Sequence, residues 1–219
     1  MTTNRRELLV AGLGTALVAC GHAAAGSRRE EKEGEEEGDV TPAEDLMREH
    51  GVLRRVIFIF EECSRRLQAK EELPKDVLGN AAGIVRTFVQ DYHEQLEEQY
   101  LFPRFEAAKQ QVELVATLRV QHKAGRALID RIRSGEGAVD AIEKFRRMYE
   151  PHAAREDTVL FPLLTKVLGE KTYKELGEQF EDEEHKRFGA RGFEGVVDEV
   201  AGLEANLGIA DLAKFTPTA

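Results

Sequence analysis

His93-Glu94-Gln95-Leu96-Glu97-Glu98-Gln99-Tyr100-Leu101-Phe102-Pro103 and His152-Ala153-Ala154-Arg155-Glu156-Asp157-Thr158-Val159-Leu160-Phe161-Pro162 share one pattern, His-x3-Glu-x3-Leu-Phe-Pro. Residues four apart on a helix lie on one face about a turn apart, so each copy presents an imidazole and a carboxylate side by side. Each copy follows a helical stretch that carries a lone histidine on its apolar stripe, His50 before the first and His122 before the second. The chain therefore writes one two-helix unit twice. Packing the two units face to face brings four histidines and two glutamates to the middle of a bundle.

The flanking sequence supports that reading. Thr41-Pro42-Ala43-Glu44 is a capping box with proline at the first helical position, and Leu46, His50, Leu53, Ile57 and Phe60 then follow one stripe. A second helix is expected from near Pro74 toward Pro103, with Val77, Ala81, Val85, Val89, His93, Glu97 and Leu101 at intervals of four. A third runs from about Val112 to Arg133 and carries Leu114, Leu118, His122, Gly125, Ile129 and Ile132 in register, ending at Ser134-Gly135-Glu136-Gly137. The fourth, about Ala138 to Leu168, has Phe145, Met148, His152, Glu156, Val159 and Leu163 on its stripe and a potential kink at Pro151. The two Leu-Phe-Pro tails read as core plugs and helix ends. The fold class is all-α: an antiparallel four-helix bundle over 41–168, with one or two further helices from 169–219 packed on it.

Ahead of the bundle, Arg5-Arg6 precedes an apolar run, Leu8 to Ala19, that is short for a membrane span and right for a signal segment. Asn4-Arg5-Arg6-Glu7-Leu8-Leu9 resembles a twin-arginine export signal, and Leu17-Val18-Ala19-Cys20 resembles a lipobox with Cys20 as the lipidated residue. Residues 1–25 are thus expected to be a signal and 26–40, rich in acid and without apolar residues over Gly26 to Asp39, a disordered linker. The expected location is the periplasmic side of the cell envelope, with membrane contact through a lipid on Cys20.

Of 219 residues, 31 are Lys or Arg and 41 are Asp or Glu, a net charge of −10 that argues against a nucleic-acid partner. The two cysteines, Cys20 and Cys63, give neither a disulfide framework nor a cysteine-rich zinc site. A metal would be held by histidine and carboxylate. Carboxylates bridge two cations and offset their charge, and imidazoles terminate the coordination. Burying two carboxylates without such a partner costs several kcal/mol or forces their protonation.

The paired His-x3-Glu-x3-Leu-Phe-Pro segments with His50 and His122 resemble the hemerythrin-like, HHE cation-binding family over roughly Glu44 to Leu168. The resemblance implies two iron ions with an oxo or hydroxo bridge, terminal ligands at His50, His93, His122 and His152, and bridges at Glu97 and Glu156. It further implies use of that centre for dioxygen, nitric oxide or peroxide. The oxygen carriers have His-x3-His on the third helix, where this chain has Arg126 four residues after His122. Two octahedral irons offer about twelve positions, which makes a fifth imidazole from outside the repeat reasonable, and His185 is the one expected to reach the pair. With four histidines two positions stay open, which favours turnover over simple binding. The classes that fit are a binder or sensor of a small diatomic ligand or peroxide, with Phe88, Tyr92, Phe145 and Tyr149 walling its pocket; an enzyme reducing peroxide or oxygen, with a redox partner the sequence does not identify; and an iron-binding module without turnover.

Overall fold

The computed structural model describes residues 40–217. The signal, the linker up to Asp39 and Cys20 lie outside the described residues. Among those described, no helix is long and apolar enough to cross a membrane.

Among the described residues six long helices follow in order. The first, α1 (Pro42–Ala69), starts at Thr41 with both halves of the capping box in place: Glu44 N–H donates to Thr41 Oγ1 at 3.3 Å and Thr41 N–H donates to Glu44 Oε2 at 3.0 Å. The second, α2, covers 77–107; α3 is Val112–Ser134; α4 covers 138–168; α5 is Glu170–Phe188; α6 is Gly192–Leu207. Helices α1 and α2, α2 and α3, α3 and α4, and α4 and α1 pack in a ring, which is the expected bundle. Helix α6 lies on α1 and α2, and α5 contacts α1 and α6. A bidentate pair from Arg55 to Glu204, at 2.9 and 2.6 Å, ties α6 to α1.

The Leu-Phe-Pro tails plug the core as expected, with Leu101, Phe102, Leu160 and Phe161 buried, but they do not end their helices. The chain stays helical to Ala107 and to Leu168 by widening into π turns, over Val85–His93 and Glu97–Leu101 in α2 and over Glu156–Leu160 in α4. Phe102 N–H donates to the Glu97 carbonyl and Phe161 N–H to the Glu156 carbonyl, each five residues back. Pro103 and Pro162 follow directly and have no N–H with which to continue an α ladder, so the wider turn carries the helix across them.

Gly125, on the expected inner stripe of α3, makes room for Tyr149: a Cβ there would lie 2.2 Å from the Tyr149 hydroxyl oxygen, whereas a Cβ at Gly51 of α1 would meet nothing within 4 Å. Gly125→Ala therefore costs about 1–3 kcal/mol through overpacking, and Gly51→Ala gains up to about 1 kcal/mol from helix propensity. Urea denaturation followed by helical circular dichroism checks both, and equal midpoints for the two variants would contradict the packing at Gly125.

Candidate metal centre

Each side chain reaches the middle of the bundle from its helix face: His50 from α1, His93 and Glu97 from α2, His122 from α3, His152 and Glu156 from α4. All six are buried, Glu97 and Glu156 at 0% exposure. They fall into two groups that share both carboxylates, His50–His93–Glu97–Glu156 and His122–His152–Glu97–Glu156, with the donor atoms of each group within 4.8 Å of one another. The four Nε2 atoms point inward: His50 and His152 lie 3.4 and 3.0 Å from Glu156 Oε2, and His93 and His122 lie 3.7 and 3.4 Å from Glu97 Oε2.

The four Nδ1 atoms point outward, and each has one partner. Asp157 Oδ1 holds His50 at 2.6 Å, Glu49 Oε2 holds His93 at 2.6 Å, Glu98 Oε1 holds His122 at 2.9 Å and Gln121 Oε1 holds His152 at 2.8 Å. Such partners fix the ring orientation and direct the Nε2 lone pair at the centre. The support is crossed between the repeats. Each lone histidine is held by the acid that follows the glutamate of the other unit, and each motif histidine by the residue that precedes the lone histidine of its own unit. The phenylalanines cross in the same way: Phe161 stacks on His50 and Phe102 on His122, both with ring centroids 5.6 Å apart.

Arg126 is not a missing ligand. It pairs with Glu98 at 2.7 Å and Glu94 at 2.8 Å, and Arg54, four residues after His50, pairs in the same way with Asp157. These supporting residues are the part of the site that sequence reasoning missed, although a repeated signal was present in Glu49-His50 and Gln121-His122 and in Glu97-Glu98 and Glu156-Asp157.

His185 is corrected. It is exposed on α5, outside both groups, and lines a surface groove. Helix α5 turns Leu176 and Phe180 inward, and five residues beyond Phe180 a helix has rotated roughly 140° off that stripe. Of the expected pocket wall, Phe88, Tyr92, Phe145 and Tyr149 are all buried; Tyr149 lies 5.1 Å from the His152 ring between centroids and donates to Glu94.

The donor set fits a pair of cations. None of the four carboxylate oxygens of Glu97 and Glu156 has a hydrogen-bond partner among the described residues. Burial and the neighbouring Glu156 push the Glu97 carboxyl well above its usual range. Burial alone would lower His50, but Asp157 and Glu156 outweigh it and carry that imidazole up to about 9. Buried acids this close need a positive partner, and the inward imidazoles and carboxylates are those a borderline divalent metal takes.

Comparison with known proteins agrees with this geometry. The family model of the hemerythrin HHE cation-binding domain matches residues 41–164. The chain is 45% identical to uncharacterized protein Rv1995 of Mycobacterium tuberculosis and to uncharacterized protein Mb2018 of Mycobacterium bovis, in each case over 98% of this chain and 91% of the relative. No solved structure matches at a significant level.

Removing an outer partner frees a ring that the centre needs fixed. Asp157→Ala and Glu98→Ala are each expected to weaken metal binding by about 10- to 100-fold with unchanged helicity. Competition against a chelator of known affinity reads this, and an affinity equal to wild type in both variants would refute the orienting role.

Proposed function

Because the chain belongs to the hemerythrin HHE cation-binding domain family, we propose that its metals are two iron ions held by His50, His93, His122 and His152 and bridged by Glu97 and Glu156, and that the pair takes up dioxygen or a related small molecule, nitric oxide or peroxide. The observation that carries this reading is the pair of donor groups sharing two buried carboxylates. One shared carboxylate would suit a single cation or two loosely held ones; two shared carboxylates with two imidazoles on each side suit two adjacent cations whose repulsion must be offset. When bound, iron supplies redox chemistry and open coordination positions. The protein supplies the four fixed imidazoles, the two bridges and a surround of Phe102, Phe161, Phe145 and Tyr149 that keeps water out.

A second reading, reduction of peroxide or dioxygen at the same centre, is favoured by the exposure of His185. With four imidazoles, two bridging carboxylates and an oxygen bridge, about two of roughly twelve positions stay unfilled by protein, room for a bidentate or a second ligand. The expectation for protein produced with iron is about two iron atoms per chain, falling below about one in Glu97→Gln or Glu156→Gln while helicity is kept. One zinc per chain, or full iron in both variants, would sink the bridged di-iron reading. Anaerobic reduction followed by dioxygen, watched by absorbance, separates the classes: a change reversed on removing dioxygen marks binding, and consumption of added peroxide marks turnover.

Export belongs to the same proposal and rests on Arg5-Arg6 and Cys20. Wild-type protein in its native host is expected in the membrane fraction and Cys20→Ser in the soluble or unprocessed fraction. A soluble wild type would refute the anchor.

A further inference from the structure

A second cluster of carboxylates borders the centre, and of its members only Glu49 serves that centre, through His93. Asp45 and Glu49, a turn apart on α1, and Glu184 on α5 each offer an oxygen within 4.8 Å of the others. Asp45 and Glu184 line a surface groove of about 560 Å³ together with Glu181, Asp182 and His185, whereas Glu49 is buried at 1% exposure. An acidic cluster by itself is ordinary surface chemistry. Here two buried polar atoms lack a hydrogen-bond partner among the described residues, Glu49 Oε1 and the Tyr92 hydroxyl oxygen. Tyr92 is 2% exposed, and its hydroxyl borders Glu49.

The cluster is also built to keep its shape. Glu184 Oε1 accepts the Phe193 backbone N–H at 2.9 Å, and Gly192 leaves that oxygen its place, since a Cβ there would come within 2.1 Å of it. Arg48 leaves the acids largely uncompensated: it stands 3.9 Å from Asp45, while its guanidinium lies 4.5 Å over the Phe193 ring and 3.6 Å from Glu194. Burial, then the charges of Glu49 and Glu184, push Asp45 up to about 7, a crowding that a divalent cation relieves.

We propose that Asp45, Glu49 and Glu184, with the Tyr92 hydroxyl beside them, form a third cation site, where divalent iron is held on its way from the groove to the dinuclear centre. An all-oxygen donor set of this charge suits a hard or borderline divalent ion bound more loosely than at the imidazole-rich centre. Glu49 joins the two places: one oxygen has no hydrogen-bond partner among the described residues and the other holds His93 Nδ1 at 2.6 Å. The loading role rests on the di-iron reading above; the cation site does not.

The test titrates metal-free full-length protein with Mn2+ and counts bound ions by electron paramagnetic resonance. Wild type is expected to bind three per chain, D45N/E184Q two, and E97Q/E156Q one. The amide pair keeps the size of both side chains and leaves Glu49 on His93, so circular dichroism and the two irons retained per chain after desalting, which removes the loosely held third ion, should match wild type. Anaerobic Fe2+ uptake into the metal-free protein should be about tenfold slower in D45N/E184Q, because the acid-lined groove no longer concentrates the ion. Equal Mn2+ counts in wild type and D45N/E184Q would overturn the third site, and equal uptake rates would overturn its loading role. A count unchanged in E97Q/E156Q would sink the dinuclear reading while leaving the third site standing.

Discussion

Two glutamates buried at the middle of the bundle, with four oxygens that no described residue satisfies, are the constraint on which the rest of the structure depends. Glu97 and Glu156 could not be kept there as bare charges, since the desolvation of each carboxylate is worth several kcal/mol. The four imidazoles around them are a partial answer at 3.0 to 3.7 Å, with nitrogens aimed at the oxygens rather than hydrogen-bonded to them. The helices meet in a ring, and the apolar plugs Leu101, Phe102, Leu160 and Phe161 exclude water from that middle. The fold thus creates the electrostatic problem that bound metal ions would resolve.

Crossed support makes the two repeats one cooperative object. His50 depends on Asp157 and Phe161 from α4, while His122 depends on Glu98 and Phe102 from α2. Neither two-helix unit can orient its own lone histidine. The π turns belong to the same device: Glu97 and Glu156 each start one, and the Phe that ends the bridged carbonyl ladder is the ring laid on the opposite unit's histidine. A regular α turn before Pro103 and Pro162 would rotate Phe102 and Phe161 relative to the glutamates and lose that registration.

Much of this was legible in the sequence. Periodicity and capping place the six helices within a few residues, and the repeated His-x3-Glu with two lone histidines marks the six inner donors, because long-range packing of amphipathic helices leaves a stripe that polar residues interrupt only for cause. The outer partners were not legible. Glu98 and Asp157 look like solvated acids following a buried one, and which helix they face depends on the crossing of units that no local pattern encodes. Arg126 was read against an oxygen-carrier template as an absent histidine, whereas its register with Arg54 makes it a counterion to Glu98. His185 failed for a rotational reason: a charged helix with only Leu176 and Phe180 buried gives a narrow stripe, and a few residues of drift turn a side chain out of it.

The near-twofold arrangement breaks at one pair of corresponding positions. His93 meets a carboxylate, Glu49, where His152 meets an amide, Gln121, at nearly the same distance. An imidazole whose outer nitrogen faces a carboxylate is the more basic donor, so the two donor groups differ chemically even though their inner side chains are alike. Glu49 is also the member of the pair that borders the groove-side acids, whereas Gln121 lies on α3, away from α5. The asymmetry and the approach from the surface therefore coincide at one side chain. A symmetric duplication would give two equivalent halves; the exchange of one acid for one amide gives a half that is both the stronger donor and the one that faces the groove.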